Sequence, residues 1–195
     1  MLRVVVLISG QGTNLRAFLD SCSNGSVPAT VVAVGADADV SGLTHARNDN
    51  IPTFIEPFDS GADRDTWGAR LADRVASYDP DLVILSGFMR IVPPGFVRRF
   101  APMLLNTHPS FLPDFPGAHA VRDAVEAGVT ETGASVIVVD DGVDTGPILA
   151  QRHVPILDGD TESTLHDRIK IVERELLVEV VRDIANRESA VIEEK

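Results

Sequence analysis

The sequence contains very little cysteine and lysine. Cys22 is the single cysteine of 195 residues, so the chain can form no internal disulfide and no cysteine-rich metal site. Lysine occurs only at Lys170 and Lys195, and the remaining basic residues are arginines at scattered positions. Because the formal net charge is −12 and no basic run offsets it, the composition argues against binding to nucleic acid or to an anionic membrane.

Long hydrophobic runs are missing as well. The first apolar run, Val4–Ile8, is too short for a membrane span or a signal peptide, and polar residues follow it at once. This run is typical of a buried strand. We therefore expect a cytoplasmic protein with no membrane association.

The length and composition fit one folded domain. Hydrophobic residues make up 44% of the chain, which is ordinary for a globular protein that buries a sizeable core. We expect residues 1–185 to form a single domain and residues 186–195 to form a polar tail. The sequence leaves open whether the molecule is a monomer or a homodimer.

Apolar strands and amphipathic helices alternate through the first half of the chain. This order predicts an α/β fold, an open, mostly parallel twisted sheet with helices on both faces. After residue 106 two strands follow each other across a Gly/Asp-rich turn, which predicts an antiparallel addition to the sheet. The predicted strands are Arg3–Ser9, Thr30–Val34, Ile51–Ile55, Leu82–Leu85, Met103–Leu105, Ala134–Asp140 and Ile148–Val154, and the predicted helices are Asn14–Ser21, Gly42–Asn48, Asp63–Tyr78, Ala118–Ala127 and Ser163–Ala185.

Ligands of such sheets bind beyond the carboxyl ends of the strands, near the point where the strand order reverses. The segment Gly10–Asn14 follows the first strand and combines two glycines with a helix start, which favours a phosphate group. A third glycine of the dinucleotide fingerprint is missing because Leu15 stands there, so a monophosphate fits better than a dinucleotide. The alternative interpretation is a tight turn in which Asn14 caps the helix.

Two further strand ends carry residues suited to acyl-type transfer. Asn106 and His108 come directly after the fifth predicted strand, where their N–H groups are placed to stabilise a developing oxyanion. The segment Asp140–Gly146 is either an acidic hairpin turn or the source of a carboxylate that pairs with His108 and favours its imidazolium form. Calcium-loop spacing is not met there, and the five histidines show no metal-ligand spacing, so we expect no metal.

Together these segments resemble the folate-dependent formyltransferases. The run NTHPSFLP at 106–113, followed by Pro-Gly at 116–117 and by DDGVDTGP at 140–147, is similar to their formyl-transfer signature. Segments 7–15 and 87–91 resemble the glycinamide ribonucleotide formyltransferases of purine synthesis within that family. The resemblance covers nearly the whole chain and implies a Rossmann-like formyltransferase fold.

The resemblance also implies an activity and a set of residues. It implies formyl transfer from 10-formyltetrahydrofolate, as cosubstrate, to the amine of glycinamide ribonucleotide. The catalytic residues implied are Asn106, His108 and Asp144. Those implied for the phosphate and ribose are Gly12, Thr13, Asn14, Lys170 and Glu173. Those implied for the folate are Arg64, Met89, Arg90, Ile91, Val92, Asn106, Asp140, Asp141, Gly142, Val143 and Asp144, with the two arginines facing its glutamate carboxylates.

Three other functions compete with this one. A methionyl-tRNA formyltransferase has a similar loop, but its RNA substrate conflicts with the acidic balance of the chain, and we expect no second domain for RNA. A formyltetrahydrofolate deformylase usually carries an additional domain before the first strand, whereas here that strand starts at Arg3. A non-catalytic nucleotide-binding module would need the phosphate loop but gives no reason for Asn106, His108 and Asp144 to occur together.

Overall fold

The computed structural model describes residues 1–59, 61 and 63–193, with side chains described through residue 187. Strands and helices alternate over most of the chain, as the sequence predicts. The strands are β1 (Leu2–Ile8), β2 (Ala29–Ala36), β3 (Thr53–Ile55), β4 (Leu82–Leu85), β5 (Leu104–His108), β6 (Glu131–Val138) and β7 (Ile148–Pro155). The helices are α1 (Thr13–Ser23), α2 (Leu43–Asn48), α3 (Arg64–Ala76), α4 (Pro94–Phe100), α5 (Ala120–Glu126) and α6 (Glu162–Glu193).

All seven strands form one sheet in the order β3-β2-β1-β4-β5-β6-β7. The pairs from β3 through β5 are parallel, whereas β6 pairs antiparallel with both β5 and β7. The predicted α/β class and its antiparallel addition are therefore confirmed. The strand order reverses between β1 and β4, and this is where a ligand site is expected in such a sheet.

Side chains of β1 alternate between two hydrophobic cores. Val4, Val6 and Ile8 point to the face that α1 and α6 cover, and they belong to the larger buried cluster. Val5 and Leu7 point to the opposite face, in a second cluster that α3 and α4 help to form. A strand that is buried on both faces explains why the first apolar run shows no polar alternation.

Two helices differ from the sequence-based prediction. Helix α4 is not among the predicted helices, and Pro94 stands at its first helical position, where its missing N–H is no loss. Helix α6 extends past the predicted end at Ala185 to Glu193, into the segment expected to be a polar tail. The single-domain boundary at residue 185 stays a prediction. Within the described residues, no helix is both long and apolar enough to span a membrane.

Candidate active site

A pocket of about 700 Å³ opens at the carboxyl ends of β1, β4 and β5. We call it the strand-end pocket. The turn after β1, the segment after β4, the end of β5, the loop after β6 and the first turns of α6 all contribute to its wall. All candidate site residues from the sequence line it except Arg64 and Asp141, which lie outside the lining.

The turn between β1 and α1 is shaped to leave helix N–H groups free. Gly12 is the N-cap of α1, has a left-handed backbone with φ of 68°, and provides no side-chain cap. A Cβ atom at Gly12 would lie 3.0 Å from the Cα atom of Gly42, so a side chain there would be strained and crowded. Asn14 does not cap the helix, since its side chain bonds to α6 instead. The positive end of α1 therefore faces the pocket with N–H groups that no side chain caps among the described residues, which suits an anion.

Asn106, His108 and Asp144 come together at the centre of the pocket wall. Asn106 and His108 lie on β5, separated by one residue, and therefore project to the same face of the sheet. The Asn106 Nδ2 atom lies 3.4 Å from Asp144 Oδ1, and His108 Nδ1 lies 3.4 Å from Asp144 Oδ2. The backbone N–H of Gly117 donates to Asp144 Oδ2 at 2.8 Å. The structure thus brings together the three residues that the sequence assigns to the chemical step.

Both ring nitrogens of His108 face oxygen atoms that accept hydrogen bonds. Its ring is 4% exposed, and its Nε2 atom lies 2.9 Å from the carbonyl oxygen of Phe115, which can only accept a hydrogen bond. Its Nδ1 atom faces the Asp144 carboxylate, a second acceptor. Each ring nitrogen therefore faces an acceptor and can donate a hydrogen bond when it carries a proton.

The loop after β6 is held in a tight conformation. Asp140 Oδ1 accepts hydrogen bonds from Gly142 N–H at 3.0 Å and from the Thr145 hydroxyl at 2.8 Å. Asp144 has a φ of 53°, an uncommon left-handed conformation for a residue with a side chain. At Gly146 a side chain would overlap the carbonyl oxygen of Val138. These constraints direct the Asp144 carboxylate toward His108.

The segment after β4 forms the opposite wall. Met89 and Ile91 line the pocket with side chains that are 69% and 60% exposed, which is unusual for large apolar residues. Arg90 donates from Nε to the Asp37 carboxylate at 2.5 Å, and Arg64 donates to the carbonyl oxygen of Ile91 at 2.8 Å. Both arginines therefore contact the protein here, and their contact with a folate glutamate stays a prediction.

Four residues of α6 form a polar stripe on the pocket wall. Glu162, His166, Lys170 and Glu173 follow each other at helical spacing, and all four line the pocket. Burial raises the pKa of Glu173, and the hydrogen bond that it accepts from Asn14 Nδ2 at 3.3 Å acts in the opposite direction. Burial lowers the pKa of His166, and nearby Lys170 lowers it further.

Some pocket residues were missed by the reasoning from sequence. His119 and His166 line the pocket, but as isolated histidines they carried no spacing signal. The four-residue spacing of Glu162, His166 and Lys170 on one helix was the available signal. Among residues 1–59, 61 and 63–193, no group of three or more His, Cys, Asp or Glu side chains could hold a metal ion.

Comparison with known proteins gives consistent results. A family model described as formyl transferase matches residues 2–181. The chain is 48% identical over 190 residues to the phosphoribosylglycinamide formyltransferase of Mycobacterium tuberculosis, covering 97% of this chain and 88% of that protein. It is 43% identical over 176 residues to the protein of the same name from Escherichia coli, covering 88% of this chain and 82% of that one.

The solved structures agree in fold. Glycinamide ribonucleotide transformylase 1 from Symbiobacterium toebii superposes with a TM-score of 0.91 at 43% sequence identity, over 95% of this chain and 88% of that one. A longer relative, the trifunctional purine biosynthetic protein adenosine-3 of Drosophila pseudoobscura pseudoobscura, is 41% identical over 88% of this chain and 13% of its own length.

Proposed function

The chain belongs to the formyl transferase family, whose model matches residues 2–181, and on this basis we propose that it transfers a formyl group from 10-formyltetrahydrofolate to the amine of glycinamide ribonucleotide. Relatives named for this activity, at up to 48% identity over most of the chain, support it. The observation that carries the proposal is the meeting of Asn106, His108 and Asp144 in a pocket that also holds an uncapped helix N-terminus.

The ribonucleotide is proposed to bind between α1 and α6. Its phosphate would accept hydrogen bonds from the free N–H groups of Thr13 and Asn14 at the start of α1, where the helix dipole adds attraction. Lys170 lines the same pocket and adds a positive charge, although its Nζ atom also contacts Asp167 at 3.0 Å. The buried carboxylate of Glu173 is placed to accept hydrogen bonds from ribose hydroxyls.

The folate is proposed to lie along the opposite side of the pocket. Met89 and Ile91 offer exposed apolar surface to a flat ring, and the backbone of the loop from Asp140 to Asp144 offers polar groups at its edge. This arrangement places the two substrates on either side of the three central residues. The partners of the protein are then two small molecules, which agrees with a net charge that disfavours nucleic acid.

The chemical step follows from the positions of the donors. The neutral amine attacks the formyl carbon, and the formyl oxygen gains negative charge as the bond to the amine nitrogen forms. Asn106 Nδ2 and protonated His108 are the donors available to that oxygen, and their 3.4 Å contacts with Asp144 are long enough to be exchanged for it. The carbon–nitrogen bond to the folate then breaks. Asp144 helps to move the proton that leaves the amine toward the departing folate nitrogen.

The test is an absorbance assay of 10-formyltetrahydrofolate consumption. We expect consumption only when glycinamide ribonucleotide is present, with one formyl group gained by the ribonucleotide for each donor molecule used. Consumption without the ribonucleotide would instead identify a deformylase. Transfer to methionyl-tRNA in place of the ribonucleotide would identify the tRNA-directed enzyme.

A further inference from the structure

Three consecutive residues of the pocket wall are each tied to a different element. The backbone N–H of Met89 donates to the Ser9 hydroxyl, just after β1, at 2.9 Å. The Arg90 side chain is bonded to Asp37, which follows β2. The carbonyl oxygen of Ile91 accepts from Arg64 at the start of α3, at 2.8 Å. We call residues 89–91 the tethered segment.

Asp37 is the least accessible of the three residues that bond to the tethered segment. Its side chain is 5% exposed, whereas that of Arg90 is 40% exposed. A carboxylate buried to this degree requires a charged or hydrogen-bonding partner, because water no longer solvates it. The second oxygen, Oδ1, is buried too, and no described residue donates a hydrogen bond to it. Within the described part of the chain, Arg90 is the one cation bonded to this carboxylate.

The guanidinium of Arg90 is also held from a second side. Its central carbon lies 5.5 Å from the centre of the Phe58 ring, and the guanidinium of Arg64 lies 5.2 Å from the same ring. A cation at this distance from an aromatic face is weakly attracted to it. Asp37 and Phe58 together therefore fix the direction of the Arg90 side chain, and with it the backbone between Met89 and Ile91.

This fixation matters because the tethered segment presents apolar surface to the pocket. Met89 and Ile91 remain 69% and 60% exposed, so the protein holds them in water instead of burying them. A flexible segment would fold such side chains inward and would have to be reordered when a ligand binds. Holding the wall in place beforehand lowers the entropy cost of binding.

We propose that Asp37 is a positioning residue of the donor subsite, which fixes the tethered segment through Arg90 so that Met89 and Ile91 can pack against the folate. This inference rests on the proposed function for the identity of the ligand. Asp37 then fixes the position of Arg90 before a folate binds. Asp37 itself does not line the strand-end pocket and acts only through its partner.

The experiment measures donor-site binding apart from turnover. Binding of tetrahydrofolate is followed by calorimetry, and KM for both substrates and kcat are followed in the transfer assay. For Asp37→Ala we expect about tenfold weaker tetrahydrofolate binding and a matching rise in the donor KM, since a hydrogen bond to a charged group is lost. The ribonucleotide KM and kcat should stay within about twofold of wild type, because the α1–α6 side of the pocket is untouched.

Two further variants control for charge and for general stability. Asp37→Asn keeps the acceptor for Arg90 and removes the charge, so about a threefold loss is expected. In this variant the amide N–H₂ group can occupy the position of Asp37 Oδ1, because no described residue donates a hydrogen bond to that atom. Asp73→Ala removes the partner of an exposed arginine, Arg99; neither residue lines the strand-end pocket, so donor binding should stay unchanged. If Asp37→Ala fails to fold, Asp37→Asn alone decides the question.

A double-mutant comparison tests whether Asp37 acts through Arg90. In an Arg90→Ala background, Asp37→Ala should weaken tetrahydrofolate binding by less than about twofold further. Equal effects of Asp37→Ala in both backgrounds would overturn the proposed route, as would unchanged tetrahydrofolate binding in the single variants. A wild-type chain that binds tetrahydrofolate but transfers no formyl group would count against the proposed function and leave the role of Asp37 intact.

Discussion

Asp144 is the residue at which the hydrogen bonds of the site converge. It accepts from Gly117 N–H at 2.8 Å and faces Asn106 and His108 at 3.4 Å each. Asn106 and His108 could be singled out from the sequence because they stand at the end of a strand, whereas Asp144 came from the resemblance to the formyltransferases. The sequence could not predict their contacts, since these depend on the left-handed backbone of Asp144 and on the carbonyl group of Phe115.

Replacement of Asp144 by asparagine should slow the chemical step. We expect Asp144→Asn to lower kcat by about 10²–10³, because the amide N–H₂ group meets the donors of Asn106 and His108 and cannot take up the proton that leaves the attacking amine. Nitrogen NMR of the His108 ring should show a changed Nδ1 signal, because the carboxylate that faces this nitrogen is replaced.

The control is Asp158→Asn, in the exposed turn before α6, which should leave kcat and the ring signals unchanged. If activity falls while the His108 ring stays as in wild type, Asp144 has a structural role only.

The buried carboxyl group of Glu173 makes folding stability depend on pH. Burial raises the pKa of Glu173 above its ordinary value of 4.5, so the folded state retains this proton while the unfolded state loses it. Folding stability is therefore lost as the pH rises from 4.5 toward the folded-state pKa, and it is unaffected well below 4.5, where both states are protonated.

Glu173→Gln should remove this pH-dependent cost. We expect the variant to exceed wild type in free energy of unfolding at pH 7.5 and by much less near pH 4, as measured by urea denaturation. Ribonucleotide KM should rise, since stability and function compete at this residue. Glu175→Gln, an exposed glutamate on the same helix, should show no comparable gain at high pH. An equal gain for Glu173→Gln at both pH values would rule out the buried charge as its cause.

At the scale of elements, hydrophobic periodicity predicted most of the fold and missed one helix, α4. Two-sided apolar runs located β1 and β4, and the glycines at 10 and 12 located the turn before α1. Helix α4 was not among the predicted helices, although Pro94 is well suited to a helix start. The pairing of Asp37 with Arg90 gave no sequence signal, since 53 residues separate them and each stands in a loop.

The turn before α1 can be tested through its glycine. Gly12→Val places a branched side chain at a left-handed position, 3.0 Å from Gly42, and blocks the N–H groups of α1. We expect a rise of at least about tenfold in the ribonucleotide KM, with a donor KM within about twofold of wild type.

A second glycine provides the matched control. Gly25 also has a positive φ, of 78°, but a Cβ atom there meets nothing within 4 Å. Gly25→Val should therefore reproduce the loss of stability from backbone strain, seen in thermal melts, without changing either KM. Equal KM changes for both substrates in Gly12→Val would argue against a phosphate site at this turn.

For the whole molecule, ligand binding should appear as a gain in stability. Tetrahydrofolate at about 100 times its Kd should add about 2.7 kcal/mol to the free energy of unfolding, because it binds only the folded chain. For a chain of this length the gain corresponds to a rise in Tm of about 5–10 °C. Differential scanning fluorimetry measures it, with a folate-free buffer and adenosine monophosphate as controls. A chain stabilised by the nucleotide and not by the folate would be a binding module of the non-catalytic kind.

The contact between Asn14 and Glu173 joins residues 159 positions apart in the chain. During synthesis, the turn after β1 is therefore made well before its partner on α6. Nascent chains therefore pass through a period in which the turn before α1 exists without Glu173. The wall of the strand-end pocket can be complete only after both segments have been synthesised, and contacts between residues so distant in the chain also slow folding.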